Sequence, residues 1–208
     1  MPHETTQPSL LSRVRDASDQ AAWREFDAKY RDLILRYALR RGLQASDAED
    51  VRQIAMLNLA RGLRGFHYED QRGRFRHYLA RVIQNAIHRY YRTPREERLG
   101  LDSGVLAESP ADESGALDRE WEEEWRAHHY RLALETVRET VEPRSVEVFE
   151  GLLGGESPEA VAERFDMDRG AVYKVKQRVR DRLKELIQQQ IREEELSWDG
   201  DAGDGRGA

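Results

Sequence analysis

From Trp23 to Tyr37 the apolar residues Trp23, Phe26, Tyr30, Leu33, Ile34 and Tyr37 recur at steps of three and four, which lays them along one stripe of an α-helix. The spacing predicts a helix that begins near Ala21 and stops at Gly42, a residue free to take the left-handed turn that ends helices. Ser46 or Asp47 is placed to cap a second helix, with Glu49 and Asp50 suited to its positive end. That helix runs to about Leu63 and buries Val51, Ile54, Ala55, Leu59 and Leu63. "GFHYEDQRGRF" reads as a loop. A third helix, Phe75 to Tyr91, buries Tyr78, Leu79, Val82, Ile83 and Ile87 and leaves Arg76, Arg81, Gln84, His88 and Arg89 around its other sides. Thr93-Pro94 ends it, because proline drives the preceding residue out of helical geometry.

"REERLGLDSGVLAESPADESG" is polar and acidic, a flexible linker by composition. Helical spacing resumes in "ALDREWEEEWRAHHYRLALETVRETV", with Leu117, Trp121, Trp125, His128 or His129, Leu132 and Val137 on one side. Pro143 opens a short helix through Phe149 and Leu153. Ser157-Pro158 opens another, in which Val161, Ala162 and Phe165 point inward. "DMD" then makes a turn, with Met167 plugging the core and Asp168 capping a long helix whose stripe is Val172, Val175, Val179, Leu183 and Leu186. "SWDGDAGDGRGA" has too little apolar surface to order itself and reads as frayed. No run of alternating β-branched residues stands out. The expected fold is therefore all-α, two small helical domains joined by a flexible acidic linker: 10–93, 94–116, 117–190, and a disordered tail 191–208.

Composition supports that division. With 208 residues, 38% apolar and 36% charged, thin helical domains fit better than one thick core. The absence of cysteine excludes a disulfide framework, a thiolate metal site and a cysteine nucleophile. No signal-peptide core and no apolar run of the roughly 20 residues needed to span a bilayer stand in the sequence. A soluble, cytoplasmic protein without membrane insertion is the expectation.

Charge sharpens the picture. The net charge is -6, yet residues 1–95 hold 18 Lys/Arg against 11 acids, and residues 71–95 hold seven Arg and no acid. Residues 96–125 reverse this with two Arg and 11 acids, and residues 169–187 reverse it again with seven Lys/Arg and two acids. Isolated basic segments in an acidic chain are what a polyanion selects, since phosphate contacts release condensed counterions. At about 100° per residue, Gly170, Tyr173, Lys174, Gln177 and Arg178 lie opposite the apolar stripe of the last helix, with Arg169, Lys176 and Arg180 flanking. A short scaffold helix, a tight turn and a longer helix with early exposed polar residues form a helix-turn-helix, where base edges and phosphates are read. The bland reading is a solvated helix surface in a bundle; a membrane face is weaker, since the valine stripe carries no aromatic anchors.

The stretches "DAEDVRQIAMLNLARGLRGF", "GRFRHYLARVIQNAIHRYYR" and "SPEAVAERFDMDRGAVYKVKQRVRDRL", in that order with a polar linker between, resemble a sigma-70 family sigma factor of the extracytoplasmic-function (ECF) type. The last stretch and the tryptophan-bearing helix are similar to planctomycete-like groups. The resemblance implies regions 2 and 4 of such a factor, with partners in core RNA polymerase (the beta-prime clamp helices and beta flap) and promoter DNA, and an anti-sigma factor where one exists. It implies that the helix from Asp47 to Leu63 binds the clamp helices through Asp50 and Gln53; Ile54 stands where an acid is usual. It implies that the loop from His67 to Arg74 and the helix after it capture a flipped base of the minus-10 strand, with Arg72, Arg74, Arg76, His77, Gln84 and Asn85 as DNA contacts. Phe66, Tyr68 and Phe75 stay open between stacking and core packing. Tyr78 replaces a usual tryptophan, an expected core substitution. Minus-35 recognition falls to Arg169, Tyr173, Lys174 and Gln177, with Lys176, Arg178 and Arg180 near phosphates. The acidic linker would mimic nucleic acid within the polymerase.

No catalytic residue, cofactor or metal is expected. Two rivals stand beside the promoter-specificity reading. One is a stand-alone helix-turn-helix regulator that never touches polymerase, against which the "DAEDVRQ" helix argues. The other is a metal-dependent nuclease using Glu49, Asp50, Glu69 and Asp70, but these lie about 20 Å apart by helical rise. The histidines show no HExxH or other ligand spacing.

Overall fold

The computed structural model describes residues 9–63, 75–92 and 114–199. Among them every regular element is a helix: α1 (Leu10–Arg13), α2 (Gln20–Arg40), α3 (Ala45–Gly62), α4 (Phe75–Arg92), α5 (Ser114–Thr140), α6 (Pro143–Leu153), α7 (Pro158–Arg164) and α8 (Arg169–Asp199). The all-helical expectation holds. The chain divides into two compact units, residues 1–125 with 193–208 and residues 126–192.

In the first unit, α2 starts where Asp19 accepts a hydrogen bond from the Ala22 amide at 2.8 Å and ends before Gly42 at φ +86°, as the sequence predicts. The cap of α3 differs. Its N-cap is Gln44, with no side-chain cap bond, and Ser46 instead donates to Asp47 at 3.4 Å within the first turn. Arg52 holds α3 to α2: it pairs with Asp27 on one side and with Glu49 at 2.8 Å on the other. Phe26, Tyr30, Leu33, Ile34 and Tyr37 meet Val51, Ala55 and Leu59 of α3 and Leu79, Ile83 and Ile87 of α4 in one apolar core. Phe75 is buried in it, with its ring edge-on to Phe26 at 6.2 Å, which decides for core packing over stacking. Tyr78 is half-buried, its hydroxyl leaving no room for a Cβ at Gly62, and burial pushes that hydroxyl up to about 12. A short α1, absent from the periodicity argument, adds Leu11 and Val14 to the core beneath a Ser9 cap.

Two segments assigned by sequence to the other domain or to the tail belong to this unit. Trp121 and Trp125 of α5, 1% and 3% exposed, lie in the core of the first unit. Trp121 sits edge-on to Tyr37 at 5.2 Å, and Trp125 stacks on Tyr30 at 6.4 Å with 14° between the rings. The expected frayed tail is helical through Asp199. Glu194 is 5% exposed, and its Oε1 accepts from the Tyr30 hydroxyl at 2.7 Å and pairs with the Lys29 ammonium at 2.7 Å. A stripe in a sequence states that a face is buried and leaves its partner open; this is why the boundaries differ.

In the second unit, Ala133 and Val137 of α5, Val146 and Phe149 of α6, and Val179, Leu183 and Leu186 of α8 form one cluster. Val148, Val161, Ala162 and Val172 form a second, with Phe165 and Met167 against it. His129 Nδ1 lies 3.1 Å from Gln190 Oε1.

Candidate functional site

Two surfaces carry candidate chemistry. On the first unit, α2 and α3 leave a shallow groove of about 880 Å3 whose walls include Trp23, Ala28, Gln53, Met56, Leu57 and Ala60. Gln53 is exposed in this wall, while Asp50, exposed one turn earlier, is outside it. Leu57 is 48% exposed, an apolar side chain turned to solvent beside an amide. The sequence reading passed over Met56 and Leu57 because they fall off the buried stripe; an apolar pair off-stripe was the available signal. Polar groups rim the groove. Glu49, bound by Arg52 first and by the charge of Arg31, is held below its ordinary value, so it is engaged as a structural counterion.

On α4, His77, Arg81 and His88 are exposed, Gln84 and Asn85 half-buried, and Arg92 exposed at the end. At about 100° per residue these residues make one ridge. Arg81, His88 and Arg92 extend the predicted set of His77, Gln84 and Asn85. Gln84 is partly committed, its amide donating to the Tyr37 hydroxyl at 3.3 Å. Arg76 lies off the ridge and pairs with Glu122 at 3.3 Å. Arg72 and Arg74, with Phe66 and Tyr68, lie outside the described residues.

In the second unit the predicted motif is built from local caps. Ser157 accepts from the Ala160 amide at 3.1 Å, with Pro158 in the first turn of α7. The turn passes through Asp166 at φ +46°, a left-handed conformation that aspartate tolerates. Asp168 Oδ1 then accepts from the Ala171 amide at 2.8 Å and opens α8. Arg144 of α6 donates to the Phe165 carbonyl and pins the turn. Ala162, 8% exposed, lies where α7 meets Val172 of α8, a position at which a larger side chain would push the helices apart.

Arg169, Tyr173, Lys174, Lys176, Gln177, Arg178 and Arg180 are all exposed, and Tyr173 is 48% so. Their availability differs. Arg178 donates to Ser145 Oγ of α6 at 2.8 Å, Gln177 donates to Asp181 at 2.8 Å, and Arg169 pairs with Glu159 at 2.9 Å. Lys174, Gln177 and Arg178 wall one shallow depression with Asp181, Arg182 and Glu185. Exposed pairs of this kind contribute little and yield readily to a phosphate. Arg169 and Arg178 are each tied to another helix, to α7 and α6 respectively.

No group of metal-ligating side chains occurs among the described residues, and no helix among them is long and apolar enough to cross a membrane. The arrangement is that of binding surfaces: an amide and apolar groove, a cationic helix ridge and a helix-turn-helix. Residues 26–97 match the family model described as Sigma-70 region 2. The matched stretch takes in α2 from Phe26 onward and the whole of α3 and α4, so Gln53, Met56 and Leu57 of the groove and the whole α4 ridge fall within it. The match supports a sigma-70 family factor, acting in transcription initiation with core RNA polymerase and promoter DNA. No curated protein matches the chain.

Proposed function

We propose that the protein is a promoter-specificity subunit of RNA polymerase, of the extracytoplasmic-function type and similar to planctomycete-like groups, with no catalysis of its own. The single observation that carries the reading is the coincidence of the region 2 match with the α2–α4 core that exposes Gln53 and the α4 ridge. In this reading Asp50 and Gln53, with Leu57 beside them, meet the beta-prime clamp helices. His77, Gln84 and Asn85, with Arg72, Arg74 and Arg76, meet the minus-10 strand. The second unit serves as region 4: its helix-turn-helix reads the minus-35 element through Arg169, Tyr173, Lys174 and Gln177, with Lys176, Arg178 and Arg180 at phosphates, and a beta flap contact accompanies it. An anti-sigma factor would compete for the same surfaces.

The test is a pull-down of core RNA polymerase paired with a promoter-binding assay. Gln53→Ala is expected to weaken polymerase capture and spare binding to promoter duplex; Lys174→Ala is expected to do the reverse. Equal loss of both activities in both folded variants would sink the division of labour. Failure of the folded wild-type protein to capture polymerase would favour the stand-alone regulator.

A further inference from the structure

The stretch "REWEEEW", residues 119–125, sets flat aromatic rings among carboxylates, which are the two chemistries of an unstacked single strand: rings for aromatic faces and negative charge for cations. The first unit receives it in both ways. Trp121 and Trp125 lie against Tyr37 and Tyr30. Glu120 pairs with Arg41 at 3.2 Å, Glu122 with Arg76 at 3.3 Å, and Glu123 with Arg40 at 2.7 Å. Glu124, almost fully buried, adds a 3.7 Å contact to Arg40. Three arginines, one of them a promoter-strand candidate, are thus neutralised from within the same unit.

We infer that the first half of α5 is a nucleic-acid mimic bound in cis, which holds the first unit's arginines and lowers its affinity for single-stranded DNA until the half-helix is displaced. The inference rests on the reading of the first unit as a promoter-strand binder. The carboxylates are the replaceable part: Glu120, Glu122 and Glu123 are half-buried or exposed and their pairs are weakened by salt. The tryptophans keep the half-helix in place at rest. Phosphates compete for Arg40, Arg41 and Arg76, and a splayed base supplies a ring where a tryptophan stood.

The experiment measures fluorescence anisotropy of a labelled single-stranded deoxyoligonucleotide with the full chain at low salt. Glu120→Gln/Glu122→Gln/Glu123→Gln is compared with the charge-matched Glu135→Gln/Glu139→Gln/Glu147→Gln, whose acids are exposed in the second unit. The first triple variant is expected to bind about tenfold tighter than wild type and the matched one less than about twofold tighter. Adding Arg76→Ala to the first is expected to remove part of the gain, and adding Arg40→Ala and Arg41→Ala as well to remove most of it. Equal gains in the two triple variants, or no gain in the first with its helicity intact, would overturn the inference. Polymerase capture by the wild-type chain is scored separately: its failure would count against the promoter reading, while the oligonucleotide comparison would still decide whether α5 masks the arginines.

Discussion

Tyr30 is the residue on which the first unit turns. It is fully buried, contacts Phe26, Phe75 and Trp125, and gives its hydroxyl hydrogen to Glu194. Burial first, and then the negative Glu194, hold its pKa well above tyrosine's ordinary value. A group raised in the folded state contributes stability that is whole below its ordinary pKa and is lost as pH climbs past it. Tyr30→Phe should therefore cost about 1–3 kcal/mol at neutral pH, through the hydrogen bond removed from a buried carboxylate. It should also flatten the loss of stability above pH 10.0, tyrosine's ordinary value. Denaturant unfolding at neutral and alkaline pH would check both, and an unchanged alkaline slope would refute the second. Phe75 carries a related lesson. Sequence left it between stacking and packing, since an aromatic residue beside a basic loop has the same composition either way; only its neighbours Phe26 and Tyr30 decide for packing.

At the level of elements, local chemistry was legible wherever it is spent locally. The Ser157 and Asp168 caps bond backbone amides three residues away, so the residues that predict them also make them. Ser157→Ala should lower the stability of the second unit by about 1 kcal/mol without touching the exposed face of α8. Thermal unfolding with unchanged duplex binding is the expected pair of results, and a loss of binding at full stability would refute it. The α3 cap was not legible for the opposite reason. Ser46 and Asp47 both have the chemistry of a cap, but α3 starts earlier, at Ala45, and its first turns are fixed by Arg52 reaching across to Asp27 and back to Glu49. The Arg52–Asp27 pair crosses from α3 to α2 and leaves no trace in three- or four-residue spacing.

For the whole molecule, the consequence lies in what completes the first core. Residues 10–93 hold the helices of the region 2 match, but Tyr30, Tyr37 and Phe75 are covered in part by Trp121 and Trp125. A fragment ending at residue 93 should melt below one ending at residue 125 and bind more of a hydrophobic dye, because the exposed aromatic area loses its cover. Equal melting temperatures would mean that the tryptophans contribute little. The all-helical class, the order of the helices from α2 to α8, the helix-turn-helix and its exposed cations were determined by the sequence alone, since periodicity and caps act between residues a few positions apart. By contrast, α1 and the helical stretch through Asp199 were not legible there. The partners of the two tryptophans, the burial of Glu194 against Tyr30 and Lys29, and the pairing of Glu120, Glu122 and Glu123 with Arg41, Arg76 and Arg40 were decided by tertiary structure. They join residues from 46 to 164 positions apart in the case of Arg76–Glu122 and Tyr30–Glu194, and at such separations only the folded chain says which buried face meets which.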